Sequence, residues 1–157
     1  MEFQMPRPGA EHKQLEALAG NWKGDEIMHP GPQGPGGKSI GFTTARLSAD
    51  NFYLIAEYRQ EIGGKPSFHG HSVLSYDTFG KRYLWYWVDS MGMPPPTATP
   101  GQFRGTDFVF ESDSPRGKMR YVYSLKSADR YTFKIEVSPD AGKSWAPFME
   151  GDYKRAK

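Results

Sequence analysis

The chain contains no cysteine, which excludes disulfide bonds, zinc–thiolate sites and cysteine nucleophiles. It has no excess of one charge sign: 20 Lys and Arg residues stand against 18 Asp and Glu residues, a net charge of +2, which argues against an electrostatic nucleic-acid binder. No apolar run reaches the roughly 18 residues of a membrane-spanning helix. The first residues lack the basic start and apolar stretch of a signal peptide. We therefore expect a cytoplasmic protein with no nucleic-acid or membrane partner.

Glycine and proline, by contrast, are frequent and concentrated in a few segments. The 18 Gly and 13 Pro residues include clusters at 30–37, 63–66, 92–101 and 138–142. Short runs rich in Tyr, Phe, Trp, Val and Thr lie between the clusters, a pattern typical of an antiparallel all-β protein. Because the 157 residues contain no linker and no internal repeat, we expect a single domain spanning residues 1–157.

One helix is predicted at about 10–19, where good helix formers place Leu15, Leu18 and Ala19 on one stripe and Gly20 follows as a stop. Ten strands are predicted after the helix. They span 21–29, 38–47, 52–62, 67–76, 82–90, 97–104, 107–112, 118–126, 130–137 and 146–155. A meander of ten strands with one capping helix indicates a closed up-and-down β-barrel over about 21–155, because closure removes the exposed sheet edges.

Five short motifs are spread over nearly the whole chain. They are Pro8-Gly9-x-Glu11-His12-Lys13, Leu18-x-Gly20-x-Trp22-x-Gly24, Gly70…Leu74-x-Tyr76-Asp77, Trp87-x-Asp89-x-Met91-Gly92 and Tyr153-x-Arg155. Together they resemble a bacterial protein family of unknown function with a lipocalin-like (calycin-type) β-barrel. The resemblance implies this fold and no particular activity, because the family itself has none settled.

The Gly-x-Trp-x-Gly element around Trp22 is also similar to one in the haem-binding nitrobindins. In that family a His close to the C-terminus holds the haem, whereas the last histidine here is His71. This resemblance therefore implies no haem, and we expect neither a cofactor nor a metal ion. We expect a structural role for Trp22, because Arg155 on the last strand is placed to stack on its ring as a cation–π pair at the barrel floor.

Register determines which side chains face the barrel interior, since a slip of one residue exchanges the two faces of a strand. The Gly-Gly pair after Ile62 predicts a two-residue turn that pairs Ile62 with Lys65. This pairing places Tyr58 on the same face as His69 and His71. The opposite face of the Tyr58 strand carries three charged side chains, which belong in water. The Tyr58 face is therefore assigned to the interior.

The next hairpin extends this interior set. The segment from Asp77 to Lys81 suits a three-residue loop that pairs these two residues. His69 then lies opposite Asp89, and His71 lies opposite a tryptophan of the next strand. The resulting candidate ligand-binding residues are Tyr58, His69, His71, Trp85, Trp87 and Asp89. A loop of two or four residues would break this cluster apart.

The side chains of this cluster allow several kinds of chemistry. Two imidazoles at positions i and i+2 opposite a carboxylate could hold a divalent metal. Alternatively, Asp89 could hold one tautomer of His69 through a hydrogen bond, or these groups could contact a ligand. Trp85 and Trp87 add flat apolar surface that either fills the core or lines a cavity. No Gly-x-Ser-x-Gly nucleophile elbow occurs, so no catalytic triad is predicted.

Arg120 is a further candidate ligand-binding residue. If Arg120, Val122 and Ser124 face inward, the guanidinium would anchor a carboxylate inside the barrel, because its fork matches two oxygens. The opposite register would leave the arginine exposed. The sequence does not decide between these two arrangements.

Three predicted loops have an unusual composition or a recognisable motif. The Gly/Pro-rich segment 30–37 and the Met/Pro-rich segment 91–96 are candidates for gating an opening, or are simple connections. The segment 138–145 resembles the Asp-box of sialidases. A single copy in a chain too short for a propeller predicts only a turn held by Asp140.

These patterns support three hypotheses about function. The first is a barrel that binds a small, partly apolar molecule in its interior. The second is an enzyme in which His69 or His71, with Asp89, acts as acid and base on a bound substrate. The third is a structural barrel whose core is filled by side chains. We expect the first.

Overall fold

The computed structural model describes residues 1–94 and 97–157 and forms a closed barrel of ten antiparallel strands. Each strand pairs with its neighbours in the chain, and the last strand closes on the first. The strands are β1 Gly20–Met28, β2 Gly37–Leu47, β3 Leu54–Ile62, β4 Lys65–Asp77, β5 Arg82–Asp89, β6 Thr99–Arg104, β7 Asp107–Ser114, β8 Gly117–Ser127, β9 Arg130–Ser138 and β10 Ala146–Arg155. The predicted ten-stranded up-and-down barrel is confirmed.

The predicted N-terminal helix is present and closes one end of the barrel. It consists of α1 (Ala10–Gln14) and a 3₁₀ turn, Leu15–Leu18. Leu15 and Leu18 are buried in the core cluster at this end, which we call the floor. The hydroxyl of Tyr83 on β5 donates a hydrogen bond to the carbonyl of Glu11 at 2.6 Å, which ties the helix to the sheet. No helix in residues 1–94 or 97–157 is both long and apolar enough to cross a membrane.

The predicted pair of Trp22 and Arg155 forms at the floor. The Trp22 indole N–H donates to the carbonyl of Leu18 at 3.0 Å, and the Arg155 guanidinium lies 4.3 Å from the Trp22 ring centroid. Arg155 also donates to the carbonyl of Ala19 at 2.8 Å. Gly20, which lies between Ala19 and Trp22 in the chain, has φ +129°. A Cβ at this position would lie 2.2 Å from a guanidinium nitrogen of Arg155. Glycine is therefore required for this close approach.

The turn of the first predicted hairpin is correct, but the predicted pairing of its strands shifts by one residue after Pro66. Ile62 pairs with Lys65 as predicted, but Gln60 pairs with Phe68, so Ser67 is an extra residue that forms a β-bulge. The bulge follows Pro66, whose missing N–H cannot donate to the sheet. The Ser67 hydroxyl donates to the carbonyl of Gln60 at 3.2 Å instead.

The second predicted hairpin has a loop one residue longer than expected. Asp77 pairs with Arg82, not with Lys81, and Lys81 takes the left-handed conformation with φ +54°. The Asp77 carboxylate accepts hydrogen bonds from the backbone N–H groups of Phe79 and Gly80, which stabilises this four-residue loop. Two one-residue shifts therefore affect β4, one at Ser67 and one in the loop after Asp77. They cancel for β5, so among β3, β4 and β5 only β4 has its faces exchanged relative to the prediction.

The structure decides between the two arrangements of Arg120 that the sequence left open. The register of β8 shifts between Leu125 and Ser127, so Tyr121 and Tyr123 face inward and Arg120 faces outward. The Arg120 guanidinium lies 4.1 Å from the Trp145 ring centroid and donates to the Glu136 carboxylate at 3.1 Å. Arg120 therefore lies on the outer face of the barrel, as in the second of the two arrangements.

The Asp-box-like segment forms the predicted turn. Asp140 accepts hydrogen bonds from the Ser144 hydroxyl at 2.6 Å, the Ser144 backbone N–H at 2.8 Å and the Ser138 hydroxyl at 2.8 Å. These donors stabilise the ionised carboxylate and lower the pKa of Asp140 from 3.8 to about 2.

This depressed pKa predicts how the stabilising effect of the turn depends on pH. The contribution of ionised Asp140 should be complete above its unfolded pKa of 3.8 and should disappear as the pH falls through about 2. Asp140→Ala should therefore lower the Tm at pH 6 and have little effect at pH 2. Thermal unfolding of both proteins across this range is the measurement. A Tm difference that stays constant with pH would contradict the assigned role.

The loops at the end opposite the floor surround the barrel opening. Because the strands alternate in direction, the loops 29–36, 63–64, 115–116 and 139–145 lie at this end, together with the described segments 90–94 and 97–98. They include both candidate gating segments, of which Pro95 and Pro96 lie outside the described residues. A gating role for either segment stays a prediction.

Candidate ligand-binding cavity

The barrel interior contains a cavity of about 920 Å³. Leu18 of the 3₁₀ turn bounds it at the floor, and Asp89 and Thr97 bound it at the open end. The volume lies in the range of roughly 300–1,000 Å³ that is typical of small-molecule sites. The side chains of this barrel therefore leave room for a ligand.

Aromatic side chains form much of the cavity wall. The Trp85 ring centroid lies 5.7 Å from that of Trp87 and 4.8 Å from that of Tyr121, and Tyr58 lies 6.1 Å from Trp87. Tyr123 extends the same wall towards the floor. Offset and edge-to-face rings of this kind offer flat apolar surface to a planar or aliphatic molecule.

Four of the seven predicted site residues line this cavity. They are Tyr58, Trp85, Trp87 and Asp89. The other three predicted residues, His69, His71 and Arg120, face outward, because the bulge in β4 and the register shift in β8 exchange the faces of their strands. Their ligand-binding role therefore has no geometric support in the cavity.

The inner face of β4 carries small residues instead of histidines. Gly70 pairs with Asp89 and Ser72 pairs with Trp87, whereas His69 and His71 are exposed. The predicted pair of imidazoles opposite Asp89 therefore does not form. Within the described part of the chain, no three His, Cys, Asp or Glu side chains are grouped closely enough to hold a metal ion.

Asp89 at the opening is held by neutral donors. The Trp87 indole N–H donates to one of its carboxylate oxygens at 2.7 Å, and the Met91 backbone N–H donates to the other at 2.9 Å. The indole partner comes from the same strand, two residues away, and thus from the same face. This contact fixes the orientation of the Trp87 ring in the cavity wall.

Trp85 has a buried polar atom without a partner. Its indole N–H finds no hydrogen-bond acceptor among residues 1–94 and 97–157. An unpaired buried donor is unusual in a folded protein, because leaving it without an acceptor costs about 1–3 kcal/mol. The ring lines the cavity, whereas its nitrogen is shielded from the cavity by neighbouring atoms.

A buried carboxylate lies in the wall behind the cavity and was missed by the sequence interpretation. Glu26 on β1 is only 1% exposed. It accepts hydrogen bonds from the hydroxyls of Ser39, Tyr58 and Tyr153 and from the Gln60 side-chain amide at 3.1 Å. Donors from β1's partner strands and from β3 thus converge on one carboxylate, which we call the Glu26 cluster.

Three glycines provide the space for this cluster. A Cβ at Gly41 would lie 2.2 Å from a carboxylate oxygen of Glu26. A Cβ at Gly24 or Gly151 would lie 2.3 or 2.5 Å from the Tyr153 ring. Glycine inside a strand often marks a close approach of another group, and these three positions fit that rule.

The tyrosines of the cluster remain protonated donors. Burial, followed by the nearby charge of Glu26, raises the pKa of Tyr58 and of Tyr153 well above the ordinary value. Both hydroxyls therefore keep their protons at neutral pH and donate hydrogen bonds to Glu26. The sequence did contain one indication that Glu26 is buried. Because side chains alternate along a strand, Glu26 lies on the same face of β1 as Trp22 and Gly24.

The closed sheet, the helical floor and the internal cavity define a lipocalin-like β-barrel. The model of a family described as proteins of unknown function (DUF1579) matches residues 7–155, so the chain belongs to that family. The resemblance predicted from the sequence motifs is confirmed. No curated protein matches the sequence.

Two solved structures have a similar fold at low sequence identity. Rv2717c from M. tuberculosis superposes with a TM-score of 0.68 at 12% identity, covering 95% of this chain and 99% of the other. The S-type phycobiliprotein lyase CPES from Guillardia theta superposes with a TM-score of 0.64 at 12% identity, covering 96% and 99% of the two chains. Identities this low establish the barrel fold alone.

Proposed function

We propose that the protein binds a small, partly apolar molecule inside the barrel. The observation that supports this is the cavity of about 920 Å³ with largely aromatic walls. In globular proteins, interiors are normally packed with few voids larger than a water molecule, so a space of this size is exceptional. Trp85, Trp87 and Tyr58 would provide the apolar contact surface, and Asp89 would orient a polar atom of the ligand.

The geometry favours binding over the other two hypotheses. The acid/base hypothesis depended on His69 and His71, whose side chains face away from the cavity. The filled-core hypothesis requires side chains to occupy the interior, and a large cavity lies there. The two structural neighbours support the barrel architecture on which the proposal rests.

A variant that fills the cavity tests the proposal. Ser72 faces inward between Ala56 and Trp87, whereas Val73, the next residue, faces outward. Ser72→Trp should greatly weaken binding of 2-naphthylmethanol, because the new indole would occupy the space the naphthalene ring needs. Val73→Trp adds the same side chain on the outer face and should bind as the unmodified protein does.

Isothermal titration calorimetry provides the affinities, and circular dichroism checks that both variants fold. We expect a loss of at least roughly tenfold in affinity for Ser72→Trp alone, equivalent to about 1.4 kcal/mol. If the unmodified protein does not bind the probe, or if both variants bind it equally well, the proposal fails.

A further inference from the structure

Among the described residues, one charged side chain faces the cavity. Asp89 lies at the open end on the inner face of β5, whereas Glu111 and Asp113 at the rim alternate with the buried Phe108 and Phe110 and so face outward. No Lys, Arg or His belongs to the lining formed by the described residues. The two residues outside the described ranges are prolines, which carry no charge. The cavity therefore presents a carboxylate to a ligand and no basic side chain.

Two carboxylates on the inner side of the barrel have no positively charged partner. Asp113 is paired with Lys118 at 3.4 Å on the outer face. Across the described ranges, by contrast, neither Asp89 nor Glu26 takes part in an ion pair. The negative charge of these two groups is balanced only by neutral N–H and O–H donors.

An uncompensated carboxylate beside a cavity favours one class of ligand. Attraction between opposite charges strengthens as water is excluded, and the same field opposes the entry of an anion. Asp89 accepts a hydrogen bond from the Trp87 indole, and the Tyr58 ring centroid lies 6.1 Å from that of Trp87. Aromatic faces attract organic cations, so the rings and the carboxylate act in the same direction.

We infer that the cavity selects organic cations, and that its ligands are protonated amines with an apolar or aromatic body. The ammonium group binds the Asp89 carboxylate at the opening, where it displaces no ion pair. The apolar body contacts Trp87 and Trp85 deeper in the barrel. This inference rests on the proposed binding function and specifies its ligand class. The inferred ligand has the opposite charge to the carboxylate that an inward-facing Arg120 would have bound.

Three probes with the same ring and different charge test the inference. They are 2-naphthylmethylammonium, 2-naphthylmethanol and 2-naphthoate, measured by isothermal titration calorimetry at pH 7. The ammonium should bind about tenfold more tightly than the alcohol, equivalent to about 1.4 kcal/mol, because it adds an attraction between opposite charges that the hydroxyl lacks. The naphthoate should bind most weakly of the three.

A matched pair of variants assigns the preference to one carboxylate. Asp89→Asn keeps the size of the side chain and an acceptor for the Trp87 N–H, but it removes the charge. It should weaken ammonium binding about tenfold and binding of the alcohol by a smaller factor, because the Asn oxygen still accepts a hydrogen bond from the hydroxyl. Asp25→Asn makes the same change on the outer face of β1, where the side chain is exposed, and should alter neither affinity.

The outcomes separate this inference from the proposed function. If all three probes bind the unmodified protein with equal affinity, or if the naphthoate binds best, the cavity binds ligands but the inferred cation selectivity is wrong. If none of the three binds, both the inference and the proposed function fail. The order of affinities in the unmodified protein decides the matter even if Asp89→Asn does not fold.

Discussion

Replacing Glu26 with leucine is expected to lower the free energy of unfolding by about 3 kcal/mol, because it leaves several buried donors without an acceptor. Tyr58, Tyr153 and Gln60 all donate to this carboxylate, which is 1% exposed. An unpaired buried donor costs about 1–3 kcal/mol, and the adjoining cavity allows water to reach some of these groups. Urea unfolding monitored by tryptophan fluorescence provides the measurement.

Two further variants distinguish lost hydrogen bonds from lost packing. Glu26→Gln keeps one accepting oxygen and should have a smaller effect, about 1 kcal/mol. Asp25→Leu introduces the same side chain at the adjacent, exposed position and should change stability by less than about 0.5 kcal/mol. If Glu26→Leu is as stable as the unmodified protein, the cluster does not contribute to the stability of the barrel.

Gly70→Ala should destabilise the protein by about 2 kcal/mol, although it adds only a methyl group. A Cβ at residue 70 would lie 2.1 Å from the Trp87 ring, so the indole must move and its hydrogen bond to Asp89 must break. Because Trp87 lines the cavity, displacing its ring should weaken ligand binding as well. Urea unfolding and titration with 2-naphthylmethanol measure the two effects.

The neighbouring histidines provide the control for this prediction. His69→Ala and His71→Ala change exposed side chains on the outer face of β4 and should each alter stability by less than about 0.5 kcal/mol. The register predicted from the sequence requires the reverse, because it places His71 against Trp87 and residue 70 outside. A costly His71→Ala together with a harmless Gly70→Ala would show that the observed register is wrong.

The architecture of the barrel was predictable because its signals are local. Gly-Gly after Ile62 and Asp77 at the next turn each mark a reversal of the chain within a few residues. The Trp22–Arg155 pair was predictable too, since antiparallel closure brings the first strand and the last strand together. Strand number and order follow from such signals without knowledge of the register.

The inner face of β4 could not be predicted because it depends on single-residue irregularities. A bulge at Ser67 and one additional loop residue each exchange the faces of β4 relative to a neighbouring strand. Their effects cancel for β5, which is why Trp85, Trp87 and Asp89 were assigned to the interior correctly. Pro66 was the available signal, since proline within a strand indicates a bulge or an edge.

The Glu26 cluster was missed for a different physical reason. Its members come from β1, β2, β3 and β10, and the longest separation, between Glu26 and Tyr153, is 127 residues. Sequence patterns report alternation along one strand and say little about which polar groups meet across a barrel. A charged residue on the inner face of a strand appears as an exception to the pattern until its donors are known.

The NMR resonances of the four indole N–H groups report whether a ligand binds inside the barrel. Trp85 and Trp87 line the cavity, whereas Trp22 is packed beneath Arg155 and Trp145 lies beneath Arg120 on the outer face. Saturation with 2-naphthylmethanol should shift the Trp85 and Trp87 resonances and leave the other two in place. A shift confined to Trp145 or Trp22, or no shift at all, would show that the probe does not bind in the cavity.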